Sequence, residues 1–170
     1  MAQYFTSNQA LFAGATQQNM AATPGKTGVM LSAATGAATL RRAKIYEFDV
    51  GIDSAPNATD CSITWSARRA TALGTGTTVT PAYLDPGDSV GTATSAMAGT
   101  VNHTAEPTYT ASTMLWALGA NQRASYRWVV DPGSTGVLII PAVNLSGIGI
   151  AGFSATYAST FTVGVYHQDM

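Results

Sequence analysis

Between Cys61 and Arg68 the chain alternates without interruption: Cys61, Ile63, Trp65 and Ala67 fall on one side, and Ser62, Thr64, Ser66 and Arg68 on the other. Successive side chains of an extended backbone point to opposite faces, so a repeat of two marks a strand with one face in a core and the other outside it. The pattern recurs from Lys44, where Tyr46, Phe48 and Val50 share one face while Glu47 and Asp49 share the other. Shorter runs follow at 114–118, 126–130, 136–140, 148–153 and 160–167, the last aligning Phe161, Val163 and Val165. Between runs lie Asp53-Ser54-Ala55-Pro56-Asn57 and Asp131-Pro132-Gly133. In such turns Pro presets one dihedral and Gly tolerates a positive one. No stretch carries a convincing helical period. The expectation is an all-β protein: an antiparallel β-sandwich of jelly-roll or Greek-key type.

A chain of 170 residues suits one domain with a real core. Residues 1–28 are rich in Gln, Ala, Thr and Gly, keep no period, and close on the turn-like Thr23-Pro24-Gly25. They read as an extended N-terminal arm preceding one sandwich domain over 29–170. Within that domain, 71–112 is punctuated by Gly74, Gly76, Pro81, Pro86, Gly87, Gly91, Gly99 and Pro107. It reads as a long loop excursion with one short strand near Thr77 to Thr80, and ordered excursions of this length are commonly functional or interfacial.

Charge sets the next limit. Lys and Arg number 8 and Asp and Glu 9, a tenth of the sequence, where a soluble domain carries about a quarter. Ala, Thr, Ser and Gly make up nearly half. A surface built from such residues suits contact with other protein better than lone exposure to water. The net charge of -1 gives no footprint for nucleic acid or an anionic membrane. The densest basic group, Arg41, Arg42 and Lys44, reads as a solvated strand edge. The longest apolar run, 137–143, is interrupted by Pro141 and falls far short of the roughly 20 residues that cross a bilayer. The start of the chain lacks a cationic segment followed by an apolar run, so no secretion signal is expected, and Asn57, Asn102 and Asn144 are read as chance sequons.

Candidates for chemistry are few. Cys61 is the only cysteine, which rules out an intrachain disulfide and reads as a small hydrophobe. Gly147-Ile148-Gly149-Ile150-Ala151-Gly152 matches a dinucleotide-binding spacing, but that motif functions where a strand turns into a helix, and a strand pattern follows here. It reads as a strand relieved by glycine. His103 and His167 have no second ligand at metal-site spacing. No Gly-x-Ser-x-Gly elbow appears, and Asp85 and Asp88 around Pro86-Gly87 are ordinary turn residues. The expectation is a protein that is not an enzyme, with no catalytic, cofactor-binding or metal residues.

What remains points to interfaces. Tyr4, Phe5 and Phe12 are apolar anchors in a polar arm; they either dock on a neighbouring subunit or mark a strand added to the chain's own sheet. Arg123 and Arg127 flank an aromatic run, Asn121-Gln122-Arg123-Ala124-Ser125-Tyr126-Arg127-Trp128. They either pack over a ring within the chain or reach another subunit. Trp65, Trp116 and Trp128 lie within alternating strands and are expected in the core.

The segments Ala70-Thr71-Ala72-Leu73-Gly74-Thr75-Gly76-Thr77, Leu84-Asp85-Pro86, Ala105-Glu106-Pro107-Thr108 and 121–128 resemble recurring segments of capsid decoration, or cement, proteins of tailed bacteriophages. The resemblance spans roughly residues 40 to 167. It implies a β-sandwich or jelly-roll subunit, commonly a homotrimer, seated on the virion capsid surface where major capsid protein subunits meet, after assembly in the host cytoplasm. It implies no catalytic residue. A tail or fibre module that binds a receptor or carbohydrate would share the sandwich and the low charge. In that alternative an exposed Trp would stack on a sugar.

Overall fold

A computed structural model of the chain describes residues 2–14, 16–22, 25–33, 40–85, 87 and 97–170. Its strands are β1 (Gln3–Ser7), β2 (Lys26–Ala33), β3 (Ala43–Ile52), β4 (Ser62–Ala72), β5 (Thr75–Val79), β6 (Ala82–Tyr83), β7 (Met97–Ala105), β8 (Thr108–Asn121), β9 (Tyr126–Val129), β10 (Leu138–Ile140), β11 (Gly147–Phe153) and β12 (Phe161–Asp169). A single helical turn, α1 (Ala10–Ala13), follows β1. The named strands pair antiparallel. One sheet runs β10-β3-β12-β1-β6, with β9 also on β3; the other runs β5-β7-β2-β11-β4-β8. They pack face to face as the expected all-β sandwich.

The inner residues of the alternating strands fill the space between the sheets. Phe48 and Val50 of β3, Ile63, Trp65 and Ala67 of β4, Ile148 and Ile150 of β11, and Phe161, Val163 and Val165 of β12 form one buried cluster. Trp65 meets Phe161 across the sandwich at 5.8 Å. Tyr46 departs from expectation. The β3–β12 register jumps from Tyr166↔Glu47 to His167↔Ile45, so Tyr46 is the extra residue of a bulge. Ile45 takes the inner position, and Tyr46, although buried, lies outside the core cluster.

Two other expectations change. Residues 3–7 are not a free arm: β1 is an inner strand between β12 and β6, and the next long strand, β2, starts at Lys26, three residues before the sequence-based boundary. Nor is 71–112 a loop excursion throughout, since it contains the end of β4, then β5, β6, β7 and the start of β8. The period of two is absent in β7, as in β2, because both strands are buried on both faces over most of their length. Thr23 and Pro24 of the first turn read from sequence lie outside the described residues, as do Asp88 of the candidate acid pair and the adjacent Pro86.

Gly147–Phe153, the dinucleotide-like run, is the central strand β11 between β2 and β4. Its glycines serve packing: a Cβ on Gly149 would overlap the Tyr109 hydroxyl. Among the described residues no helix is long and apolar enough to cross a membrane.

Candidate functional site

The three aromatic anchors are engaged within the chain. Tyr4 is buried and stacks on His167 at 5.2 Å and against Tyr83 at 4.9 Å. Phe5, half-buried, packs on Tyr166 at 4.8 Å and edge-on to Phe12 at 5.6 Å. Phe12 in turn leans on the core from α1. Phe12 anchors the helical turn and leaves the adjacent Leu11 fully exposed, at 101%.

Arg123 and Arg127 take partners that the sequence did not suggest. Arg123 Nε donates to Asp60 Oδ1 at 2.7 Å, and Arg127 Nε to Glu47 Oε1 at 2.6 Å. The Arg123 hydrogen bond holds the exposed Asp60 carboxyl below its usual range. Both guanidinium groups thus pair with carboxylates of the same chain, where the sequence left packing over a ring and contact with another subunit open. The guanidinium that does lie on a ring is that of Arg68, 4.3 Å from the Tyr109 centroid.

That contact belongs to a polar layer on the outer face of the β5–β8 sheet. Glu106 Oε2 accepts from the Thr27 N–H at 2.9 Å and from Thr27 Oγ1 at 2.6 Å, and Thr27 Oγ1 also meets the Tyr109 hydroxyl at 2.5 Å. Lys26 Nζ lies 3.4 Å from Glu106 Oε1. His103 is fully buried beside them. Its Nδ1 is 3.2 Å from the Thr27 carbonyl, an acceptor only, so Nδ1 carries the proton and Nε2 accepts from Thr100 Oγ1 at 3.1 Å. Burial pushes the His103 imidazole below its ordinary value, and the Thr27 carbonyl and Glu106 oppose that shift. The layer ties β2, β7 and β8 together and explains why the outer face of β2 is as buried as its inner one.

The least satisfied feature of the molecule is β8. It is an edge strand of 14 residues, TYTASTMLWALGAN, with no charge and no proline, and among the described residues only β4 pairs with it. Its regular part runs from Trp116, opposite Ala67, to Asn121, opposite Ser62. Natural edges are ordinarily blunted by Lys, Pro, a bulge or brevity, because an open row of N–H and C=O groups is a template for another chain. Here a bulged stretch at 109–115, with Ser112 at φ 59°, blunts the first half and leaves the second half open.

A cleft and an aromatic cluster flank this edge, and a second cleft lies beyond the cluster. On the outer sheet face, Gly25, Thr64, Ser66, Ala151 and Gly152 floor a cleft of about 200 Å³. Met114 and Phe153, 56% and 42% exposed, line it, and Arg68 closes one end. On the other side, Trp116 and Trp128 are half-buried, not core as expected. Phe48 stacks on Trp128 at 5.0 Å and meets Trp116 edge-on at 4.9 Å, and Trp116 stacks on the partly exposed Tyr126 at 5.6 Å. Tyr126 rims a second cleft with Gln9, Asp49, Asp53, Ser125 and Arg127. Burial, and secondarily Glu47, raises the Asp49 carboxyl.

Cys61 is half-buried, with its thiol 3.3 Å from Gln122 Oε1. Gln122 is itself fully buried and holds the 57–61 loop through the carbonyls of Asn57 and Thr59. Among the described residues no three of His, Cys, Asp and Glu gather as a metal site. Sequence reasoning missed the β8 edge, although the charge-free stretch from Pro107 to Gln122 was there to be read. Compared with known proteins, the chain matches no family model and no curated protein.

Proposed function

We propose that this chain is a structural virion protein: a capsid decoration, or cement, protein that self-associates, as a homotrimer, and seats on the phage head where major capsid protein subunits meet. The observation that carries this reading is the open β8 edge, six regular residues without charge or proline in a sequence that is sparsely charged throughout. Such an edge gains most when another chain covers it, through main-chain hydrogen bonds and shared apolar area. The role is mechanical, and no residue is assigned a catalytic task. Its partners are copies of itself and the major capsid protein, not nucleic acid or membrane.

Adding the purified chain to undecorated shells of the same virus tests this. Saturable binding at a fixed ratio to capsid subunits, with shells that then withstand more heat, is the expected result. Absence of binding to shells together with retention in tail fractions overturns it.

A second reading, a carbohydrate-binding tail or fibre module, is favoured by one feature, the cleft of about 330 Å³ in which Tyr126 stands beside Asp49, Asp53 and Arg127. An aromatic rim with carboxylate and guanidinium groups suits a sugar. Glycan-array binding that disappears in Tyr126→Ala would support it.

A further inference from the structure

We infer that copies of this chain join head to tail, the Leu11 side chain of one copy filling the Met114–Phe153 cleft of the next. The inference rests on the self-association proposed above and names the surfaces that carry it. Leu11 is fully exposed on α1, held in place by Phe12 on the core and by the αL cap at Gly14, whose N–H bonds to the Ala10 carbonyl at 2.9 Å. A leucine held out into water by a fixed turn is an apolar knob. The complementary hole is on the same chain: small residues at its floor, Met114 and Phe153 as walls, and room for one branched side chain.

Their placement decides the symmetry. α1 lies against β1 and β5, and β5 is one edge of the six-stranded sheet; the cleft lies over β4 and β11 beside β8, the opposite edge. A knob and hole at opposite edges of one sheet do not meet within one chain and suit a contact between two different surfaces of neighbouring copies. They make a heterologous contact, which closes into a ring when the rotation permits. The knob brings no charge, since neither Gln9 nor any residue of α1 is ionisable, and so meets no like charge at Arg68.

Sedimentation of the full chain at micromolar concentration tests the contact. Wild type is expected as a trimer, with Leu11→Asp and Met114→Glu each weakening association at least tenfold, while Val143→Asp, at an exposed residue elsewhere, leaves it unchanged. In a Cys61→Ser background, mixed Leu11→Cys and Met114→Cys proteins are expected to form a disulfide-linked pair under mild oxidation that neither forms alone. A trimer that persists in both charge variants without cross-linking overturns the knob-and-cleft assignment and leaves self-association standing. A wild-type monomer overturns both.

Discussion

Acid should loosen this protein through His167. The imidazole is fully buried at the β1–β12 pairing, stacked on Tyr4, and burial drives its pKa down to about 3. In the unfolded chain it titrates near the ordinary value of about 6.5. A base with a depressed folded pKa stabilises the fold fully above its unfolded pKa. That contribution is lost as the pH falls, because only the unfolded chain takes up the proton. The loss begins near pH 6.5 and levels off near the folded pKa. At about 1.4 kcal/mol per pH unit, it reaches about 2 kcal/mol at pH 5 and about 5 kcal/mol near pH 3. Asp169 Oδ1 lies 3.8 Å from Nε2, and burial sets the direction of the shift. The raised Asp49 acts with opposite sign, and because it is common to wild type and a His167 variant, the difference between the two reports His167. Urea unfolding followed by Trp65 fluorescence, at fixed protein concentration because association shifts the equilibrium, should show wild type losing about 2 kcal/mol more over that window than His167→Gln. The remaining decline in the variant belongs to His103, whose shift has the same direction. Equal declines in wild type and His167→Gln would refute the reasoning, since His167 would then titrate as it does in water.

Three further outcomes follow from the packing. Gly149→Ala puts a methyl group where the Tyr109 hydroxyl lies; displacing that hydroxyl from Thr27 should cost about 1–3 kcal/mol in chemical denaturation, and an unchanged midpoint would show that the polar layer is loose. Trp65→Ala removes the largest fully buried side chain and should cost about 3–5 kcal/mol, read as a fall in the thermal midpoint; a loss below 1 kcal/mol would mean the sandwich core is misplaced. Ala117→Lys adds a charge to the exposed side of β8, where the monomer's stability should move by less than about 0.5 kcal/mol, while association measured by light scattering should fall, the behaviour expected of an edge that another strand must approach.

The sandwich was legible wherever a strand keeps one face in the core and one outside. β4 and β12 show it, because Ile63, Trp65, Phe161 and Val163 alternate with small or polar residues. β2 and β7 were opaque for a physical reason. Thr27, Met30, Ser32, Thr100 and His103 are buried beneath the second, polar layer, so both faces of those strands look alike and the alternation disappears. β1 was half-legible: Tyr4 and Phe5 were recognised as anchors, but whether they held a neighbour or the chain's own sheet depends on His167, Tyr83 and Tyr166, which are distant in sequence. The pairing of Arg127 with Glu47 follows from the β3–β9 register, which no local pattern encodes. The edge position of β8 is likewise a property of the sheet order, although its lack of charge was visible from the start.

The central claim is that an uncharged strand edge is completed by other protein on a capsid. An electron cryo-microscopy reconstruction of undecorated shells incubated with the purified chain tests it most directly. Trimeric density at symmetry-related positions between capsid subunits, with a neighbouring chain against Trp116–Asn121, is the expected result. Bare shells, or bound copies whose β8 edges all face solvent, would contradict it.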